Sequence, residues 1–572
     1  MATKAINWIG QQKSLLPDKP FFIYFAPGAT HAPHHVPKEW ADKYKGKFDE
    51  GWDKLRELTL ERQKKLGVVP KDCPLSARPK EVPAWDDMPE AFKPVLRREM
   101  EVYAGFMEYT DHQVGRVLEM LKKLDILEDT LVFYIIGDNG ASAEGNVNGC
   151  FNEMSYFNGL QQFETAEYLQ ARIDKLGGPE SYNHYAVGWA HAMNTPYQWT
   201  KQVASHFGGT RNGTIIHWPK GIKSKGEIRN QFCHCIDVAP TILEAAGIPE
   251  PVSVDGITQD PIEGVSMRFA FDDAKAAERH ETQYFEIMGN RGIYHKGWTA
   301  VTKHYTPWIM APRPALDDDV WELYDTTKDW SQSKDLSKEN PKKLHELQRL
   351  WLIEATRYKV LPIDDRMFEK VNPDTAGRPV LLKGKSQVLF GGMGHLSENC
   401  VLNLKNKSHS VTANIVVPEK GAEGVIIAQG ANIGGWSLYA KEGKLKYCYN
   451  WSGLKCFIVD GGKIPAGERQ VRMEFKYDGG GLGKGGVATL FVDGQKAGEG
   501  KIEATLATIF SADDGLDVGE DTGAPVSPEY GSSHNAFNGE IKGVQLAIAE
   551  GAENLDHLVK AEDAIHMAMA RQ

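Results

Sequence analysis

Between Leu131 and Ile136, six apolar residues follow one another without a polar interruption, and the run stops at Gly137-Asp138-Asn139-Gly140. An unbroken apolar run this short suits a strand covered on both faces, as in a parallel sheet flanked by helices. In open α/β sheets, ligands gather at the carboxyl ends of the strands, which is where Asp138 and Asn139 fall. A carboxylate next to an amide oxygen offers the hard donors that Ca²⁺ or Mg²⁺ prefer. The same residue types are also common in strand-ending turns for backbone reasons alone, so the ten residues by themselves leave both readings open.

A second continuous apolar run, Phe21 to Ala26, reads as another buried strand and leads into Pro27-Gly28-Ala29-Thr30-His31-Ala32-Pro33-His34-His35-Val36-Pro37. The prolines forbid ladder or helix bonding and fix this stretch as a loop at a strand end. His34 and His35 are adjacent and flanked by prolines, with no helix to set two imidazoles on one face. That disfavours a histidine-only metal site and leaves two readings open, ordinary loop histidines or a single ligand-facing imidazole, His31 nearest the strand. Residues 38–98 read as a polar, Pro-interrupted insertion of short helices. Residues 99–125 then carry Val102, Phe106, Val114, Val117, Leu118 and Leu121 at helical spacing, which gives a strand–helix–strand crossover.

Downstream, 146–157 is an Asn/Gly-rich loop, and 160–176 reads as a charged amphipathic helix. Lys201 precedes Ser205-His206-Phe207-Gly208-Gly209-Thr210-Arg211, whose paired glycines permit close backbone approach. Thr214 to Pro219 reads as a further buried strand. Residues 236–247 read as a helix with Asp237 as N-cap and Gly247 as its stop. A strand pair within 283–303, an edge strand at 321–325 and a helix at 341–358 close the first domain.

Four regions are expected: an α/β domain over 1–360, a Pro/Gly/Lys linker over 361–385, an antiparallel β-sandwich over 386–550, and a helical tail over 551–572. The sandwich rests on short alternating strands with Gly-rich turns, among them an Asp493-Gly494 hairpin. Its aromatics Trp436, Tyr439, Tyr447, Tyr449 and Trp451 suit either a core or sugar stacking, with the core favoured.

The net charge of −11 is spread rather than blocked, so no nucleic-acid footprint is present. No apolar run approaches the ~18 residues of a membrane span. Met1 to Ile9 reads as the middle of an amphipathic helix without an apolar signal region, which leaves the compartment, periplasmic or cytoplasmic, open. The seven cysteines are scattered and read as structural thiols.

Taken in order, the Thr30–Pro37 loop, the Gly137–Gly140 turn, Gly208-Gly209-Thr210-Arg211 and the Asp237–Leu243 helix resemble the sulfatase family, and within it the long bacterial arylsulfatases with a β-sandwich tail. The resemblance implies a partial alkaline-phosphatase-like doubly wound α/β core that hydrolyses small-molecule or glycan sulfate esters with a bound Ca²⁺. It would make Asp138 and Asn139 metal ligands. His31 and Lys201 would be the catalytic, substrate-contacting pair. Lys201 lies seven residues before Gly208, where many relatives have six, so His206 stands as a second substrate contact.

The family's nucleophile is a formylglycine made from a Cys/Ser-x-Pro-x-Arg signature. The nearest match, Cys73-Pro74-Leu75-Ser76-Ala77-Arg78, has its proline one place early and its arginine one place late. The expectation is therefore a sulfatase-type chain incomplete at its N-terminus and inactive alone. A phosphoric ester hydrolase of the same superfold and a carbohydrate-binding protein are the competing readings.

Overall fold

The computed structural model describes residues 1–309, 311–366, 381–382 and 384–549. Its contacts gather into two units. One comprises the described residues of 1–31, 38–149 and 185–365; the other comprises 32–37, 150–184 and the described residues from 366 onward. Much of the expected linker and all of the expected tail fall outside the described residues.

In the first unit, the central apolar run forms strand β1 (Val132–Ile135), paired antiparallel with β2 (Thr214–His217). This departs from the expected parallel, doubly covered strand: among the described residues the sheet has two strands, and its apolar side chains stay half-buried to exposed. The Phe21–Ala26 run joins no ladder. It takes no regular structure, with Phe22 and Tyr24 facing solvent, and no neighbouring strand among the described residues bonds its backbone.

The expected helix is present and longer than its apolar spacing suggested, running Lys93–Lys123 with a proline in its first turn and Lys122 and Lys123 in its last, but without a strand at Phe21–Ala26 it makes no strand–helix–strand crossover among the described residues. Both ends suit a helix, since Pro94 forfeits an amide that would be unpaired anyway and the lysines meet the negative end of the dipole. The expected insertion 38–98 is no appendage. Its helix Gly51–Leu66 brings Trp52 against Trp85 and Trp189, with Leu96, Met100 and Tyr185 completing a buried aromatic core. Single tryptophans spaced far apart leave no periodic trace, which is why the segment reads as polar.

The later part of this unit follows its sequence pattern closely. Strands β3 (Thr282–Ile287), β4 (Asn290–His295), β5 (Trp298–Thr302) and β6 (Trp321–Asp325) form an antiparallel meander. Helix Pro341–Arg357 lays Leu347, Trp351 and Ala355 onto Ile293, Ala300 and Leu323. Helix Val238–Ala246 ends at Gly247 in the left-handed region, as expected. Asp237, however, makes no side-chain cap to that helix. Its buried carboxylate accepts from the backbone amides of His234 (2.7 Å) and Val265 (2.7 Å) and pairs with His280 Nδ1 at 2.8 Å. It ties three segments together.

The second unit contains a six-stranded and a five-stranded antiparallel sheet. The first places His409–Val417 between Gly467–Tyr477 and Glu540–Ile548; the second runs from Lys455–Lys463 to Leu516–Val518. Inward residues Val411, Ile415, Leu438, Met473, Leu490 and Val544 build one core. Trp436, Tyr447 and Tyr449 belong to it, so burial rather than sugar stacking is their use. At the Asp493-Gly494 turn both residues have positive φ (50° and 78°), which matches the twist of flanking strands paired at Val492 and Gln495.

The expected helix 160–176 is broken into short turns around Ala166–Gln170. Buried Glu164 interrupts it by accepting from the amides of Phe151 and Asn152.

Candidate functional site

The turn after β1 begins with the Ile136 amide donating to Gly213 O, and Gly137 takes a positive φ of 90°. Asp138 and Asn139 then face solvent, and Asn139 Nδ2 donates to Asp138 Oδ1 at 2.7 Å. Gly140 donates to Gly209 O at 3.0 Å. A Cβ on Gly140 would lie 1.7 Å from Gly208 O, so only glycine permits this approach. One residue on, the Ala141 carbonyl accepts from the Lys201 amide at 3.0 Å. Backbone bonds thus lace the Asp138-Asn139 turn, the Lys201 turn and the paired glycines into one cluster.

Lys201 sits between two non-glycine residues in the left-handed region, Trp199 (φ 68°) and Gln202 (φ 72°). Such residues cluster where a surrounding structure over-determines the backbone. Its Nζ lies 3.1 Å from His31 Nε2 and 3.2 Å from Glu144 Oε2. Glu144 is nearly buried, its side chain 8% exposed against 20% for Lys201, and it also accepts from Ser142 Oγ (2.7 Å) and Gln202 Nε2 (3.1 Å). The result is an exposed imidazole and an ammonium side by side, with a carboxylate behind them.

His31 and Lys201, chosen from sequence, are therefore brought into contact, on the loop cluster that also carries Asp138 and Asn139. His206 is not brought to them. It is fully buried, with Nδ1 on Ser205 Oγ (2.9 Å) and Nε2 on Glu322 Oε2 (3.1 Å). Tyr324 donates to the same carboxylate, so His206 fastens the glycine turn to β6. His34 is buried beside His184, and His35 bonds Ser181 O, so neither joins His31. Arg211 lies over the rings of Trp330, Phe207 and Tyr197. Cys73 is buried beside Leu60 and Val69, and burial pushes its thiol up, the opposite of a reactive setting. Sequence reasoning missed Glu144 and Gln202; an acid five residues past Asn139 was the available signal.

The donor chemistry at Asp138 and Asn139 fits a hard divalent cation, since a carboxylate oxygen and an amide oxygen remain available after their mutual bond. Together they would offer two of the six to eight oxygens that Ca²⁺ takes. Among the described residues, no group of three or more His, Cys, Asp or Glu side chains is arranged to hold a metal.

The described residues thus form an α/β region followed by a β-rich one, with a histidine–lysine pair set on loops of the first. The family model described as Sulfatase matches residues 1–248, and that of the N-sulphoglucosamine sulphohydrolase C-terminal region matches 206–352. An uncharacterized sulfatase of Schizosaccharomyces pombe is 32% identical over 368 residues, 64% of this chain and 63% of its own length. An arylsulfatase of Klebsiella aerogenes is 30% identical over 274 residues, 48% of this chain and 55% of its own. The crystal structure of Ps i-CgsB aligns over 66% of this chain and 59% of its own, at 18% identity and a TM-score of 0.38. Over residues 1–352 the chain is similar to the sulfatase family, and its matched part spans less than two thirds of the length of these curated relatives.

Proposed function

We propose that this chain carries the leaving-group half of a sulfuric ester hydrolase site. The observation that supports it best is the Lys201–His31 contact of 3.1 Å on the cluster that presents Asp138 and Asn139. A sulfate ester holds negative charge on its non-bridging oxygens and develops more on the leaving oxygen. An ammonium and an imidazole aimed there stabilise the transition state more than the ground state. Lys201 and His31 bind and orient the anion, and the pair supplies a proton, held at the Lys201 ammonium, to the departing alkoxide or phenoxide oxygen. Asp138 and Asn139 would contribute ligands to a divalent cation that, when bound, neutralises the sulfate oxygens. No residue of the sequence stands in a Cys/Ser-x-Pro-x-Arg arrangement, so the chain on its own is proposed to bind sulfate without turning over an ester.

The test is calorimetric titration of inorganic sulfate in calcium-containing buffer, beside an aryl sulfate assay. Binding that falls at least about tenfold in His31→Ala and Lys201→Ala, without turnover, is expected. Sulfate affinity that ignores both substitutions defeats the binding site, and family-like turnover by the 572-residue chain defeats the inactivity.

A further inference from the structure

We propose that Glu144 is a positioning residue for Lys201, holding the turn at both its ammonium and the neighbouring Gln202 amide so that the ammonium meets His31. The inference rests on the sulfate-ester reading above. One carboxylate oxygen takes Lys201 Nζ at 3.2 Å and Ser142 Oγ at 2.7 Å; the other takes Gln202 Nε2 at 3.1 Å. Two further bonds hold the turn by its backbone: the Lys201 amide donates to Ala141 O, and Asn290 Nδ2 donates to Gln202 O at 2.9 Å. Neither reaches the lysine side chain, which has four flexible carbons and many rotamers. Glu144 is the carboxylate that touches it.

The carboxylate also fixes the hydrogen-bond polarity of the pair. An ammonium opposite Glu144 has three donors and no acceptor, so the His31 Nε2 it touches presents its lone pair and the ring proton sits on Nδ1. His31 Nε2 is thus engaged by the ammonium, and an arriving sulfate oxygen competes with it for that donor. Ser142 and Glu144 lie on the segment that follows the Asp138-Asn139 turn. A shift of that turn is therefore handed to Lys201 through its main chain at Ala141 and its side chain at Glu144.

The experiment is a double-mutant cycle on sulfate affinity in the full chain, in calcium-containing buffer. Glu144→Ala is expected to weaken binding about tenfold, and Glu144→Asp to recover most of the loss. In a Lys201→Met background, Glu144→Ala should change affinity by less than about twofold. A second measurement needs no sulfate: acylation of individual lysines followed by mass spectrometry. Glu144→Gln should raise the Lys201 rate about fivefold while exposed Lys65 stays unchanged as an internal reference for folding. Equal losses in both backgrounds, tighter binding in Glu144→Ala, or an unaltered Lys201 rate would overturn the positioning role. Absence of sulfate binding by the unsubstituted chain would instead overturn the sulfate-ester reading, and the acylation result would still decide the role of Glu144.

Discussion

Two sheets in this molecule are written in similar apolar residues and end in opposite conditions. In β1–β2, Ile135 is 41% exposed and Ile215 54% exposed. In the sandwich, Val411, Leu438 and Met473 have no accessible surface. The strands do not differ in propensity; they differ in what covers them. Each sandwich sheet has the other as its lid, and the alternation of its strands tells which side chains face inward. A two-stranded ribbon has little standing of its own. The candidate site therefore depends less on β1 and β2 as a sheet than on the loop bonds that cross at Gly140 and Ala141.

The largest expected effect tests the sandwich side of this contrast. Leu438→Ala should cost about 2–5 kcal/mol in urea unfolding, because a buried cavity adds to the lost transfer energy. If the loss is below about 1 kcal/mol, the core is not load-sharing as described. Next is Gly140→Ala, whose methyl would meet Gly208 O at 1.7 Å. Backbone must yield there, at about 1–3 kcal/mol, and sulfate affinity should fall at least tenfold. Retained affinity would show that the turn and the glycine pair are not held together in solution.

A smaller effect concerns buried acid in the second unit. Burial pushes the Glu164 carboxyl up to about 7 from the ordinary 4.5. A folded value above the unfolded one contributes stability that is fully present below about pH 4.5 and is lost as pH rises through about 7. Glu164→Gln should flatten that decline, reducing the Tm difference between pH 5 and pH 8 by a few degrees. An unchanged profile would remove Glu164 as its source. Least is expected of Ile215→Thr, within about 0.5 kcal/mol, since the side chain is already solvated; a larger loss would mean that β2 is covered in solution.

The fold was most legible where pattern and burial coincide. The meander at 282–325, the helix at 341–357 and most sandwich strands follow period-two or 3.6-residue spacing that tertiary structure had no reason to override. Legibility failed in three physical ways. The Phe21–Ala26 run has strand composition, yet a strand requires a partner, and composition does not supply one. Trp52 and Trp85 contribute to a core from isolated positions that no periodicity links. The 160–176 segment has helical spacing, but Glu164 is spent on the amides of Phe151 and Asn152.

His31 and Lys201 were named from a strand-end loop and from a lysine ahead of paired glycines, and the structure sets them 3.1 Å apart. His206 looked equivalent to Lys201 in that view. Its Ser205 and Glu322 partners, the latter more than a hundred residues away, are visible only in three dimensions. Glu144 was hidden for the converse reason, as an acid in a loop with nothing in the sequence to name its partner.

The Gly140–Gly208 approach leaves no side chain between two strands of main chain, and so nothing soft enough to absorb a displacement. Peptide planes in direct contact transmit motion at nearly its full amplitude. On heating, the acid–amide turn and the lysine turn should therefore drift as one piece and keep their spacing. Anion recognition would then persist almost unchanged up to the temperature at which that piece comes apart, and vanish there abruptly instead of fading.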